Sequence, residues 1–133
     1  MEIIIVRQEH KPWGIDGHLY INRQRVCDTV EHPTCCRPQG EYQVALDNNP
    51  FRHGDGALSS IHGEIIVGKL ALPGLVTQSV ETYQRLYERL KKAFQRNTPV
   101  RLTFRGCFSK RTVKKSLMVR FFMSLNLKLS TFN

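Results

Sequence analysis

The order of the predicted elements constrains the fold of this chain most: short strand-like segments come first, and one amphipathic helix follows them. The strand predictions depend on β-branched residues and on alternation of apolar with polar residues. Six segments are predicted as strands: Glu2–Arg7, His18–Asn22, Arg25–Val30, Glu41–Asp47, Glu64–Val67 and Val100–Phe104. Because five of them precede the helix, the order indicates an α+β fold, mainly β, in which one helix packs on a small sheet or barrel-like domain.

Turn-forming residues separate these segments. Lys11–Gly17, Glu31–Gly40 and Asn48–Ile61 contain several Pro, Gly and Asn residues, so we predict irregular structure there. The second and third strands are close in sequence and predict a hairpin. Its turn is Asn22-Arg23-Gln24, because Asn tolerates the positive φ angle that a tight hairpin turn needs.

The helix is predicted from Ser79, a favourable N-cap, to the stop signals Asn97 and Pro99. Apolar residues recur at steps of three and four, which is typical of a helix with one buried face. This stripe consists of Val80, Tyr83, Leu86, Tyr87, Leu90 and Phe94. On the opposite face, two i,i+4 ion pairs are predicted, Glu81 with Arg85 and Glu88 with Lys92.

Charge is distributed unevenly along the 133 residues. The net charge is +9, but residues 1–105 hold 14 basic and 11 acidic residues and contribute only +3. Residues 106–133 hold six basic residues and no acid. We therefore predict one domain over residues 1–105 and a basic C-terminal extension over residues 106–133, packed on the domain.

Several classes of protein are disfavoured. The N-terminal segment lacks the basic start and apolar stretch of a secretory signal, and no stretch is long and apolar enough for a transmembrane helix. We therefore expect a cytoplasmic protein. Cys27, Cys35, Cys36 and Cys107 fit no zinc-binding spacing, so free thiols are predicted. We predict no cofactor and no metal site, and the sequence does not indicate an oligomeric state.

Four segments, in order, carry a resemblance to the L,D-transpeptidase catalytic domain, whose members cross-link peptidoglycan stem peptides. Arg37–Val44 resembles the family's Pro-x-Gly-x-aromatic turn into a strand, and His53-Gly54 resembles its first His-Gly pair. Ser60–Ile65 is similar to its Ser-His-Gly-Cys-Ile signature with one inserted residue. Residues 81–102 match its helix, polar turn and Pro-Val strand. The layout also resembles a group of short, uncharacterised bacterial and phage proteins.

The sequence departs from the family at the nucleophile. In the enzymes, a Cys accepts the acyl group and a His raises its thiolate fraction. Glu64 occupies that position here, and Ile66 replaces the basic residue expected shortly after it. A carboxylate cannot replace the thiolate, because the mixed anhydride it would form is far less stable than a thioester. The resemblance therefore implies a non-catalytic domain, which we expect to bind a peptide or a cell-wall-derived ligand in the former cleft.

The polar residues of this region leave a second hypothesis open. His53, Asp55, His62 and Glu64 would converge if the fold follows the resemblance. Such a cluster could bind a ligand or a metal ion, or His53, His62 and Glu64 could support hydrolysis by an altered mechanism. We favour the simpler interpretation, in which the glycines shape turns, the histidines form loop hydrogen bonds and Glu64 is solvated.

The basic extension gives a third hypothesis. Lys110–Lys115 could contact phosphates, with nearby Phe residues as stacking rings, or the extension could lie on an anionic membrane surface. The rings do not alternate regularly with the bases, and no nucleic-acid-binding motif is present. We therefore expect no nucleic-acid partner for this protein and favour a packed extension with solvated basic side chains.

Overall fold

The fold is described from a computed structural model, which covers residues 1–61 and 63–106 of the chain. These residues form eight strands, one α-helix and two short 3₁₀ turns, at Leu46–Asn48 and Ala57–Ser59. The strands are β1 (Glu2–Lys11), β2 (Gly14–Ile21), β3 (Gln24–Glu31), β4 (Gly40–Val44), β5 (Phe51–Arg52), β6 (Ile65–Leu72), β7 (Leu75–Thr77) and β8 (Val100–Arg105). The helix α1 spans Ser79–Gln95. The α+β, mainly β prediction is confirmed, with eight strands in place of about six.

The strands form one sheet in the order β4-β8-β1-β2-β3-β6-β5, with β7 paired to β6. The first three strands form an antiparallel meander. Strand β8 returns after α1 to pair with β1 in parallel, and β4 then pairs antiparallel with β8. The sheet therefore joins the two ends of the described chain through the adjacent interior strands β1 and β8, with β4 at one end of the strand order and the short β5 at the other.

The predicted β2–β3 hairpin is confirmed, and its turn is tight. Asn22 and Arg23 have φ angles of 48° and 74°, so a two-residue turn connects the strands. The predicted loop at Lys11–Gly17 was too long: Lys11 pairs with Gly14, and β1 and β2 continue almost to each other. An irregularity in β1 between Arg7 and His10 allows this extension.

Two strands were missed, β5 and β7, and their lengths explain why. β5 has two residues and lies within the segment whose Gly, Asn and Pro residues predict irregular structure. β7 has three residues and follows β6 through the turn at Pro73 and Gly74, where Gly74 has a φ of +80°. Neither segment is long enough to show a period of two, so pairing with β6 decides its conformation.

The helix packs against the inner face of the sheet, but its buried face is rotated from the predicted one. Leu86 and Leu90 are buried as expected, whereas Val80 is 48% exposed. Thr82 and Ala93, which the apolar stripe omitted, are buried instead. The main core combines this helix face with the inward residues of the sheet: Ile3, Ile5, Leu19, Ile21, Val44, Phe51, Ile65, Val67, Leu86, Leu90, Ala93, Val100, Leu102 and Phe104.

Ser79 is the first residue of α1 and not its N-cap. The N-cap is Gln78, in a left-handed conformation with φ of 53°, and its side chain makes no capping bond. The Ser79 hydroxyl instead donates to the Val67 carbonyl at 2.5 Å and accepts from the Gly54 N–H at 3.0 Å. The Ser79 hydroxyl, which was predicted to cap the helix, therefore forms tertiary hydrogen bonds instead.

The two ion pairs predicted on α1 do not form. Among the salt bridges of residues 1–61 and 63–106, none joins Glu81 to Arg85 or Glu88 to Lys92. Such exposed pairs stabilise a helix by only about 0.3–0.5 kcal/mol, so solvation competes easily with them.

Within residues 1–61 and 63–106, no helix is long and apolar enough to cross a membrane. The extension predicted at 106–133 lies outside the described residues, apart from Gly106.

Candidate functional site

The sequence candidates come from the loop after β5 and the turn before β6. Strands β5 and β6 are parallel, with Phe51 opposite Ile65 and Arg52 opposite Ile66. His53 directly follows β5, and Glu64 directly precedes β6. Because the two strands are parallel, the two residues lie at opposite ends of the strand pair. His62 lies outside the described residues. The structure thus brings His53 and Asp55 together on one side and leaves Glu64 on another.

His53 and Asp55 line an open depression at the N-terminal end of α1. Its volume is about 460 Å³. The His53 ring contacts the Tyr83 ring edge-on, with 5.6 Å between the ring centroids. The depression is also lined by Glu81, which carries a second carboxylate, and by the exposed Val80. The depression therefore offers two carboxylates and an imidazole next to a small apolar surface.

Backbone bonds hold the loop that carries His53 and Asp55. The carbonyl of Asp55 accepts from the Val76 N–H at 3.1 Å, so the loop is tied to β7. The Gly54 N–H donates to the Ser79 hydroxyl, which ties the loop to the start of α1. Between these anchors, the side chains of His53 and Asp55 remain exposed to solvent.

Glu64 is half-buried and its carboxylate is already engaged. One oxygen, Oε1, accepts from the Ile61 N–H at 3.3 Å, and Oε2 lies 3.4 Å from Nε of Arg52. The backbone N–H of Glu64 donates to the Ile61 carbonyl at 2.9 Å, which closes the turn. Gly63 permits this turn with a φ of +80°. The expectation that Glu64 is simply solvated is therefore wrong, since the carboxylate closes its own turn.

A buried ion pair, which was not predicted from the sequence, lies behind this turn. The guanidinium of Arg7 donates to both carboxylate oxygens of Glu31, at 2.9 Å and 2.8 Å, and both side chains are 0% exposed. The Arg7 guanidinium also lies over the Phe104 ring, 4.1 Å from the centroid. One sequence signal indicates that Arg7 is buried. It follows Ile3 and Ile5 at steps of two, and residues two apart in a strand lie on the same face of the sheet.

The ion pair connects to the Glu64 turn through the backbone. Nη2 of Arg7 donates to the Arg37 carbonyl at 2.7 Å, and Nε of Arg37 donates to the Gly63 carbonyl at 3.1 Å. Burial raises the pKa of the Glu31 carboxyl, and the Arg7 guanidinium offsets part of that increase. Nη1 of Arg7 has no hydrogen-bond partner among the described residues. The arrangement fixes the turn from the protein interior.

The thiols that the structure describes are free, as predicted for Cys27, Cys35 and Cys36. Burial raises the pKa of Cys27 to about 12, and the neighbouring Asp28 carboxylate adds to the effect. Burial also raises the pKa of Cys36. Both thiols are therefore protonated near neutral pH, and a protonated thiol is a poor nucleophile.

No group of three or more His, Cys, Asp or Glu side chains within residues 1–61 and 63–106 is arranged to hold a metal ion. Cys107, which the sequence analysis also considered, lies outside these ranges. Comparisons with protein-family models, with curated proteins and with solved structures give no match to this chain. Function is therefore inferred from the geometry of the site and from the sequence resemblance.

Proposed function

We propose that this chain is a non-catalytic domain of the L,D-transpeptidase-like kind, which binds a peptide or a cell-wall-derived ligand in the depression beside His53 and Asp55. The observation that carries the proposal is Glu64, at the position of the family's nucleophile. Its carboxylate is held by the Ile61 N–H and by Arg52. A carboxylate engaged in its own turn supports a structural role in place of acyl transfer.

Two of the three thiols that the structure describes, Cys27 and Cys36, support the same conclusion. Acyl transfer by cysteine needs the thiolate, and its fraction falls tenfold for each unit by which the pKa exceeds the ambient pH. With a pKa of about 12, Cys27 carries almost no thiolate near neutral pH. Cys36 is disfavoured in the same direction. Neither residue can take over the role that Glu64 lacks.

The lining of the depression favours a peptide over a purely apolar ligand. Asp55 and Glu81 supply carboxylate oxygens that accept hydrogen bonds from amino groups and amide N–H groups. Val80, 48% exposed, supplies a contact for an aliphatic side chain. A volume of about 460 Å³ is in the range of small-ligand sites and accommodates a few residues of a peptide. Stem peptides of peptidoglycan offer both kinds of group.

Binding is tested by titrating isotope-labelled protein with a peptidoglycan stem peptide and following backbone amide shifts by NMR. We expect saturable shifts at Gly54, Asp55 and Val80. The double variant Asp55→Asn and Glu81→Gln should bind about tenfold more weakly, because it loses two charged acceptors. Asp47→Asn, which neutralises an exposed carboxylate that does not line the depression, serves as the matched control and should bind like the wild type.

Turnover is tested on the same peptide by mass spectrometry, with the wild type and Glu64→Ala side by side. We expect neither protein to cross-link or hydrolyse the peptide. Turnover by the wild type that disappears in Glu64→Ala would overturn the proposal and favour the hydrolase hypothesis with His53, His62 and Glu64. Saturable shifts confined to residues outside the depression, or no shifts at all, would also contradict the proposal.

A further inference from the structure

A row of four cations runs along one flank of α1 and ends at its C-cap residue, Arg96. Arg85, Arg89, Lys92 and Arg96 are separated by four, three and four residues, so at about 100° per residue they share one side of the helix. All four are exposed, and none forms an ion pair with another described residue. With a rise of about 1.5 Å per residue, the row is about 16 Å long.

The N-terminal end of this row faces a cavity of about 250 Å³. Arg85 lines the cavity from α1, and Arg25 and Lys69 line it from β3 and β6. The carboxylate in its wall, Asp28, is already occupied: it accepts from Nη2 of Arg25 at 2.6 Å and from the Leu70 N–H at 2.8 Å. Two cations, Arg85 and Lys69, are left without an ion-pair partner among the described residues.

The C-terminal end of the row faces a second cavity of about 490 Å³. Arg89, Lys92 and Arg96 line it from the helix, and Asn22, in the β2–β3 turn, lies across from them. The described residues that line this cavity include no carboxylate. The two cavities share no lining residue, but both lie between the same flank of α1 and the β2–β3 hairpin, and together we call them the basic groove.

The nearest acidic residues of the helix do not neutralise the groove. Glu88 precedes Lys92 by four residues and lies only about 40° from it around the helix axis, but it lines neither cavity and forms no ion pair with another described residue. Glu81 lies beyond the N-terminal end of the row and lines the depression near His53. The cations of the C-terminal half also interact favourably with the helix dipole, but this would not require them to share one flank.

We propose that the basic groove binds the phosphodiester backbone of a nucleic-acid strand. Three of the four cations of the row are arginines, whose planar guanidinium matches the oxygens of a phosphate. A row about 16 Å long presents cations to several successive phosphates of one strand. The described lining contains no aromatic ring for stacking on bases, so the binding is independent of sequence.

The shape of the site favours a strand over a membrane surface. Membrane-binding helices combine a basic face with exposed apolar side chains that enter the lipid. The row of cations contains no apolar residue, and it lies in a concavity. The groove is also separate from Lys110–Lys115, the phosphate-contacting segment considered from the sequence. It shows that a domain with a net charge of only +3 over residues 1–105 can concentrate its positive charge on one flank.

The test measures fluorescence anisotropy of a labelled single strand of about 20 nucleotides with the full chain, over a series of salt concentrations. The variant combines Arg89→Gln, Lys92→Gln and Arg96→Gln. We expect it to bind at least about tenfold more weakly, with a logarithmic salt slope smaller by about 2, since each phosphate contact to a single strand contributes about 0.7.

The matched control removes the same charge from other surfaces through Lys91→Gln, Arg101→Gln and Arg105→Gln. Only a small loss of affinity, about twofold to threefold, is expected from the change in net charge. A groove variant that binds like this control would overturn the proposal and assign the binding to another surface, the extension included. Failure of the wild type to bind the strand, or binding to anionic lipid vesicles alone, would overturn it as well. Circular dichroism of each variant checks that the fold is retained.

Discussion

Two regions of this protein use arginine in opposite ways. Inside the sheet, Arg7 is 0% exposed and both of its bonds to Glu31 are shorter than 3 Å. On α1, Arg89 and Arg96 are exposed and have no ion-pair partner among the described residues. A buried charge must be compensated within the protein, whereas an exposed charge is compensated by water and remains available to a ligand. The first region therefore maintains structure, and the second can recognise an anion.

The comparison also separates the parts of the candidate site. The Glu64 turn is connected to the buried pair, because Arg7 binds the Arg37 carbonyl and Arg37 binds the Gly63 carbonyl. The loop that bears His53 and Asp55 is held by backbone bonds, by Ser79 and by the contact of the His53 ring with Tyr83, and the His53 and Asp55 side chains are exposed. By the same reasoning, Glu64 belongs to the structural region and Asp55 to a region that can bind.

The largest effect is expected from breaking the buried pair. Arg7→Met leaves the Glu31 carboxyl buried without its partner and should lower the free energy of unfolding by about 3–5 kcal/mol. Urea denaturation measures the loss. The double variant Arg7→Met and Glu31→Leu replaces both charges with apolar groups and should recover most of it. If the single variant lost less than about 1 kcal/mol, the contrast between the two regions would fail.

An intermediate effect is expected at Asp28, which is buried at the end of the basic groove. Burial alone would raise the pKa of Asp28, but bonds from the Leu70 N–H, Arg25 and His18 outweigh burial and lower it below 3.8. A lowered folded-state pKa stabilises the protein above the unfolded value, and this contribution is lost as the pH falls through the folded-state pKa.

Asp28→Asn should therefore lower the free energy of unfolding by about 1–2 kcal/mol near neutral pH. The difference between the wild type and the variant should shrink as the pH falls below 3.8, the ordinary value for this group. Denaturation curves over an acidic pH series measure it. A difference that stayed constant or grew on acidification would mean that the ionised carboxylate is not the stabilising form.

The smallest effect on stability is expected from the groove variant with Gln at positions 89, 92 and 96. These side chains are exposed and form no ion pair with another described residue, so each substitution should change the free energy of unfolding by less than about 0.5 kcal/mol. The same urea titration measures it beside Arg7→Met. A loss of several kcal/mol would show that these cations maintain the fold, which would remove the distinction from Arg7.

Local signals predicted much of the fold. The hairpin turn that begins at Asn22, the alternation in β8 and the helix that follows Gln78 depend on neighbouring residues. These features were recognised from sequence, although the turn has two residues and not the three predicted. The exact helix face was not recognised, because Val80 and Thr82 lie on nearly opposite sides of the axis, about 200° apart, and the packing against the sheet decides which side is covered. The short strands β5 and β7 exist only through their pairing with β6.

The sequence predicted which residues belong to the candidate site but not how they are arranged in space. The sequence identified His53, Asp55 and Glu64, but the parallel pairing of β5 with β6 decides that the first two share a depression and the third does not. Ser79 was predicted as the N-cap because a helical pattern follows it. In the structure, its hydroxyl donates to the Val67 carbonyl instead.

The sequence by itself determined the alternation of β8, the position of the β2–β3 turn and the spacing that aligns the cations of α1. Only the tertiary structure decided that Arg7 meets Glu31, 24 residues away, and that the β2–β3 hairpin turns an exposed helix flank into a groove. The physical reason is that periodicity and turn formation depend on residues a few positions apart. Charge compensation and concavity depend on which distant segments the sheet brings together.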